Sequence, residues 1–173
     1  MKTIGLIGGM SYSSTLIYYE QLNKLSNNHF GDLTTPKIIL SSVNFSYIES
    51  LQHDSKWSEL GSILNKEAKT LENAGAEVLA LCTNTMHKVF DEMIQNISIP
   101  SIHIAESTAQ HITNDEYKKP ALLATKFTME EEFYVQKLKD YGLDPVIPTD
   151  ESRNILHCVI YEELCFNVIS EKS

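Results

Sequence analysis

Glu77-Val78-Leu79-Ala80-Leu81-Cys82-Thr83-Asn84-Thr85-Met86-His87-Lys88 joins a short apolar run to a cluster of thiol, hydroxyl, amide and imidazole groups. Asn73-Ala74-Gly75 precedes it with the glycine signal of a helix C-cap. The apolar residues 77–81 therefore read as a buried parallel strand that follows a helix. Beyond the polar cluster, Val89, Phe90, Met93 and Ile94 recur at helical spacing, which predicts a helix starting near Thr85. The polar residues thus sit where the carboxyl end of a strand meets a helix N-terminus. Open α/β sheets bind ligands at that edge, and the free backbone N–H groups there favour anions.

Outward from this junction, strand-like and helix-like segments alternate, the pattern of a parallel sheet with crossover helices. Strands are expected at Thr3–Ile7, Lys37–Val43, Glu77–Leu81, Ser101–Ile104, Pro120–Ala124 and Pro145–Ile147. Helices fall between them. Ser13–Leu25 opens with a Ser-Ser-Thr cap signal, and Trp57, Leu60, Leu64, Ala68 and Leu71 mark a second helix by their three- and four-residue steps. The polar stretch from Thr113 to Lys119, closed by Pro120, predicts a linker, so residues 1–115 form a first α/β domain and residues 116–173 a partial second one. In the second, one helix carries Met129, Phe133 and Leu138 and ends at Gly142. Another is capped by Pro148-Thr149-Asp150 and carries Leu156, Ile160, Leu164 and Val168 on one stripe up to the end of the chain. Two strands and two helices are too few to bury both faces of a sheet, so this second unit reads as incomplete.

The chain has 173 residues, 42% of them hydrophobic, with a formal net charge of −9 and a pI near 5.1. Its scattered Lys and Arg argue against a nucleic-acid surface, which needs clustered cations to neutralise phosphates. The N-terminal Ile4-Gly5-Leu6-Ile7-Gly8-Gly9 is too short and too glycine-interrupted for a signal peptide or a membrane span. Cys82, Cys158 and Cys165 are therefore expected to be reduced thiols in a cytoplasmic protein, since an odd count does not suit a disulfide framework.

Several expected strand ends finish in small or polar residues: Gly8-Gly9-Met10-Ser11, Ser41-Ser42-Val43-Asn44, Cys82-Thr83-Asn84-Thr85 and Thr125-Lys126. Taken singly, each reads as a tight turn or a helix cap; taken together, on one edge of a parallel sheet, they point to a pocket. Gly5-Leu6-Ile7-Gly8-Gly9 has neither dinucleotide-fingerprint nor phosphate-loop spacing. Cys82 with His87 suggests a thiol and a base, and His103 and His111 a metal, although their spacing is not that of a metal site; a buried structural Cys and core or surface histidines read better. Cys82 and Thr83 should point to opposite faces of their strand, so only one faces a given pocket. Thr83 or Asn84 reads equally as the N-cap of the next helix.

The stretch Ile4-Gly5-Leu6-Ile7-Gly8-Gly9-Met10-Ser11, together with Gly75-Ala76-Glu77 and Thr83-Asn84-Thr85-Met86-His87, resembles the aspartate/glutamate racemase family. Ser42-Val43-Asn44-Phe45, Leu123-Ala124-Thr125-Lys126-Phe127-Thr128-Met129 and Tyr161-Glu162-Glu163-Leu164-Cys165 extend the resemblance over essentially the whole chain, and towards its subgroup acting on L-aspartate and L-glutamate. The resemblance implies two pseudo-symmetric α/β units, cofactor-independent racemisation, and two proton-transfer residues on opposite faces of the α-carbon. It implies Thr83 as the first of these, where most relatives carry cysteine. It further implies Met10, Gln52, Asn84, Thr85 and Thr125 as contacts to an aspartate or glutamate substrate. Met10 reads equally as a packing residue at a turn, and Gln52 as an exposed polar residue before the Trp57 helix. The second cysteine of the family lies in a Gly-Cys-Thr-Glu motif that does not occur in residues 1–173. The resemblance therefore implies a C-terminally truncated chain of impaired activity, or a non-catalytic remnant that still binds acidic amino acids. Uncovered apolar faces would then favour a homo-oligomer.

Overall fold

The computed structural model describes residues 1–31, 33–115 and 117–171. The chain divides into two compact units, Met1–Thr83 with Val89–Ile102, and Asn84–Lys88 with His103–Ser173.

The first unit is an α/β layer structure on a four-stranded, all-parallel sheet. Strand β1 (Ile4–Gly8) leads through α1 (Tyr12–Phe30) to β2 (Ile38–Ser42). Helices α2 (Phe45–His53) and α3 (Trp57–Asn73) precede β3 (Val78–Leu81), and the short α4 (Phe90–Met93) precedes β4 (Ser101–Ile102). The strand order is β2-β1-β3-β4, with Ile7 opposite Ser41 on one side and Leu81 on the other. Leu6, Ile7, Leu79 and Leu81 are buried, as expected of strands covered on both faces. Leu60, Leu64, Ala68 and Leu71 form the buried stripe of α3, which packs on β1, β2 and α4. Gly75, at φ +93°, ends that helix, while the Ala76 N–H donates to the Leu71 carbonyl at 3.0 Å.

The start of α1 differs from expectation. Its N-cap is Ser11, so the Ser13-Ser14-Thr15 signal lies inside the first turn and serves another purpose described below. The expected helix at Thr85 opens instead as a 3-10 turn, Thr85–Val89, because Val89 leaves helical geometry (φ −112°, ψ 26°) before α4 begins. Strand β4 stops at Ile102, since His103 caps the next helix.

The second unit holds the Thr85–Val89 turn up to Lys88, then α5 (Ile104–Asn114), α6 (Lys126–Glu130), α7 (Glu132–Asp140) and α8 (Asp150–Glu162). Ala105, Ala109, Tyr134, Leu138 and Leu143 form its core between α5 and α7. This packing puts α5 in the second unit, whereas the composition changes only after that helix, in a stretch whose Glu116 lies outside the described residues. The two expected strands shrink to one parallel bridge, Ala121 with Val146. Pro120, Pro145 and Pro148 lack the N–H groups that a longer ladder requires. The single expected helix through Met129 and Phe133 breaks at Glu131, which is extended at φ −102°, ψ 153°. The expected stripe to Val168 also falls short: α8 ends at Glu162, and Leu164–Phe166 is a 3-10 turn closed by left-handed Asn167. Lys172 and Ser173 of the expected last helix lie outside the described residues.

Candidate functional site

In the first unit the carboxyl ends of β1, β2 and β3 share one edge. The chain passes from β1 to β2 on one side of the sheet and then to β3 on the other, so a topological switch point lies between β1 and β3. The turn leaving β1 is Gly9-Met10-Ser11. Gly9 has φ +89°, and a Cβ there would lie 2.5 Å from the Val43 carbonyl oxygen, so the chain passes the end of β2 with no room for a side chain. The Val43 N–H donates to the Gly8 carbonyl at 3.0 Å. Thr15 locks the turn from the other side: its Oγ1 accepts from the Gly9 N–H at 2.9 Å and donates to the Ser11 carbonyl at 3.1 Å. This is the role of the hydroxyl that the sequence offers as a cap. The Met10–Ser11 peptide is cis, and Met10 is buried.

The segment leaving β3 begins with Cys82, whose N–H donates to the Ile7 carbonyl at 2.9 Å. Cys82 is fully buried, and burial pushes its thiol up to about 12. Thr83 is half-buried. Gln52, the last residue but one of α2, is 3% exposed rather than the exposed polar residue its sequence position suggests. Asn44 caps that helix by accepting from the Ser46 N–H at 3.2 Å.

The second unit contributes a buried hydroxyl chain. Thr85 Oγ1 and Thr125 Oγ1 are 2.9 Å apart, and Thr125 Oγ1 and Thr128 Oγ1 are 3.2 Å apart. Thr125 is the N-cap residue of α6, without a side-chain cap bond. Thr128, completely buried, was not signalled on its own, although Thr125 and Thr128 have the i, i+3 spacing of neighbours on one helical face. Asn84 is exposed, and its carbonyl accepts from the His87 N–H at 3.0 Å to close the turn. Lys88 Nζ lies 2.6 Å from the Glu131 carboxylate, in the break between α6 and α7. The pair sits at an interruption that glutamate, a good helix former, does not announce.

The histidines do other work than the sequence suggests. His87 Nε2 accepts from the Ile104 N–H at 3.1 Å, so that nitrogen already holds a proton donor and is not a free base for a thiol. His103 Nδ1 accepts from the Ala105 N–H at 3.2 Å, and exposed His111 lies 4.0 Å from Asp115. Among the described residues no group of three or more His, Cys, Asp or Glu is arranged to hold a metal ion. No described helix is long and apolar enough to cross a membrane.

Known proteins resemble this chain in sequence and fold. Broad specificity amino-acid racemase RacX of Bacillus subtilis is 28% identical over 148 residues, which cover 83% of this chain. The chain spans 63% of the length of that curated relative, less than two thirds. Among solved structures, a candidate Asp/Glu racemase from Yersinia pestis superimposes with a TM-score of 0.89 at 43% identity, covering 99% of this chain and 75% of its own. An aspartate racemase homologue from Pyrococcus horikoshii gives a TM-score of 0.83 at 38% identity, with the same coverages of 99% and 75%. The sequence model of the Asp/Glu/Hydantoin racemases matches residues 7–166, a span that takes in the turn after β1, the Thr83–His87 segment and the hydroxyl chain. With nearly its whole length matched, the chain belongs to the Asp/Glu/Hydantoin racemase family.

Proposed function

We propose that this chain is a cofactor-independent, two-base amino-acid racemase of the aspartate/glutamate type, with a first α/β domain and part of a second. Thr83 exchanges a proton with the substrate α-carbon, and Met10, Gln52, Asn84, Thr85 and Thr125 hold the substrate. The observation that carries the reading is the switch point between β1 and β3. Thr83 lies two residues beyond the end of one of these strands and the buried Gly9-Met10-Ser11 turn follows the other. Uncharged N–H and hydroxyl donors suit both the α-carboxylate and the charge that develops on deprotonation.

A threonine hydroxyl is a weak base, so Thr83 acts as a relay or donor: it hands its hydroxyl proton to the α-carbanion left when a base on the opposite face takes the α-proton, and its oxygen is reprotonated from water. Inversion also requires a group on the other face. The family's Gly-Cys-Thr-Glu motif, which supplies it, does not occur in residues 1–173. Turnover by these residues alone is accordingly impaired. The absent motif also favours a second reading, a remnant that binds acidic amino acids without proton exchange. Cys82, Cys158 and Cys165, none of them in a disulfide among the described residues, fit a reducing cytoplasmic setting, and exposed Leu16, Ile17 and Leu25 on α1 fit self-association.

The test is incubation with L- and D-aspartate and L- and D-glutamate in deuterated water, using protein purified free of host racemase. Binding is expected, with slow α-deuteration that Thr83→Ala lowers by about 10²-fold, the low end for losing a proton-transfer group. Binding with no deuteration at all supports the remnant. Rapid exchange into both enantiomers overturns the impairment, and failure to bind any of the four overturns the pocket.

A further inference from the structure

We propose that His87 is a positioning residue, holding the turn that presents Asn84 and Thr85 to the substrate; the inference rests on the substrate contacts proposed above. His87 is 2% exposed. A buried imidazole must satisfy its polar atoms, and here Nε2 accepts from the Ile104 N–H at 3.1 Å. Ile104 is the first residue of α5, and its N–H is one of the donors that a helix leaves without an internal partner. The next such donor, the Ala105 N–H, is taken by Nδ1 of His103, the N-cap residue. The two imidazoles meet edge-on, with centroids 4.7 Å apart. Two histidines thus do what a serine or aspartate cap ordinarily does, and one of them comes from 17 residues upstream.

The distant origin of that cap is what gives His87 its role. It fastens the Thr85–Val89 turn to the start of an eleven-residue helix whose Ala105 and Ala109 lie in the core of the second unit. Further ties of the turn include Thr85 to Thr125 and Lys88 to Glu131. The first uses hydroxyls that the substrate also engages, so substrate binding competes with it. The second is part-exposed, and such ion pairs are screened and individually weak. The His87 bond is part-buried, made by an imidazole that is itself buried, and it uses no group assigned to the substrate. It therefore keeps the turn in place while the Thr85 hydroxyl changes partners. The closing bond from the His87 N–H to the Asn84 carbonyl extends that hold to Asn84.

The test compares His87→Leu with His87→Gln in the 173-residue protein. The Gln side-chain oxygen is as many bonds from Cβ as Nε2 and accepts in its place; the Leu side chain cannot accept. Three readouts apply: hydrogen exchange at the Ile104 amide, the Thr85 χ1 couplings by NMR, and L-aspartate affinity by calorimetric titration. In His87→Leu, Ile104 exchange should accelerate, Thr85 should average over rotamers, and aspartate affinity should fall about tenfold, the scale of one lost hydrogen bond. His87→Gln should restore all three. If His87→Leu does not fold, His87→Asn, one bond too short to reach Ile104, takes its place. Faster exchange at Ile104 with an unchanged Thr85 rotamer and unchanged affinity would make His87 merely structural and overturn the proposal. If the unmodified protein binds neither aspartate nor glutamate, the substrate reading has failed, and Thr85 rotamer order alone decides whether His87 positions the turn.

Discussion

Cys82 and Thr83 are adjacent, yet their chemistry diverges because their burial does. Only the thiolate is a nucleophile, and full burial raises the Cys82 thiol from its ordinary 9.0 to about 12. At neutral pH Cys82 is therefore an inert packing group, while the half-buried Thr83 keeps access to a ligand. A thiol-directed reagent at pH 8 should modify exposed Cys158 rapidly and Cys82 only as fast as the protein unfolds. Labelling of Cys82 at the rate of Cys158 would return the thiol to contention as a nucleophile. The same shift fixes a pH dependence. The folded state holds the thiol proton more tightly than the unfolded state, so this stabilisation is complete below pH 9 and is lost as pH rises from about 9 to about 12. Urea titrations of the wild type and Cys82→Ala across that window should show the steeper alkaline loss in the wild type.

At the scale of elements, the turn joining β1 to α1 depends on Gly9, which combines a left-handed φ of +89° with backbone atoms of Val43 within 3 Å of a notional Cβ. Gly9→Ala should destabilise the fold by about 3 kcal/mol, summing the left-handed penalty and overpacking against an unyielding backbone, as read from urea unfolding. A loss under about 0.5 kcal/mol, the ordinary scale of a surface substitution, would mean that the turn relaxes freely. The first-unit strands and the α3 stripe were legible because their apolar residues follow one period and are buried where that period puts them. Helix α2 was less so: Phe45, Ile48 and Leu51 have helical spacing, but Asn44 reads as a strand end until its side chain is seen accepting from the Ser46 N–H. Gln52 was consequently named by resemblance, while its burial was not foreseen. His103 caps locally, accepting from the Ala105 N–H two residues on, whereas the break at Glu131 and the cap from His87 are tertiary effects. Each depends on a partner distant in sequence or on burial, and no local pattern encodes either.

The chain as a whole interleaves its two units. Asn84–Lys88 lies in sequence between β3 and α4 of the first unit, yet its contacts belong to the second. The partners that hold it, Ile104, Thr125 and Glu131, all come after residue 102. A fragment of residues 1–102 would keep the four strands, α3 and α4, which bury their apolar faces on one another. It would retain every residue of the Thr83–His87 segment and lose the ties of Thr85 to Thr125, His87 to Ile104 and Lys88 to Glu131. Hydrogen exchange on this fragment should therefore show protected amides in β1 and β3 and rapid exchange from Thr85 to Val89, with no measurable aspartate affinity. Adding residues 103–173 as a separate chain should restore protection of the turn before it restores binding, since the ties precede the ligand. If Thr85–Val89 stays protected in the fragment alone, the turn is held from within the first unit, and Thr125, Glu131 and Ile104 have no part in shaping the substrate site.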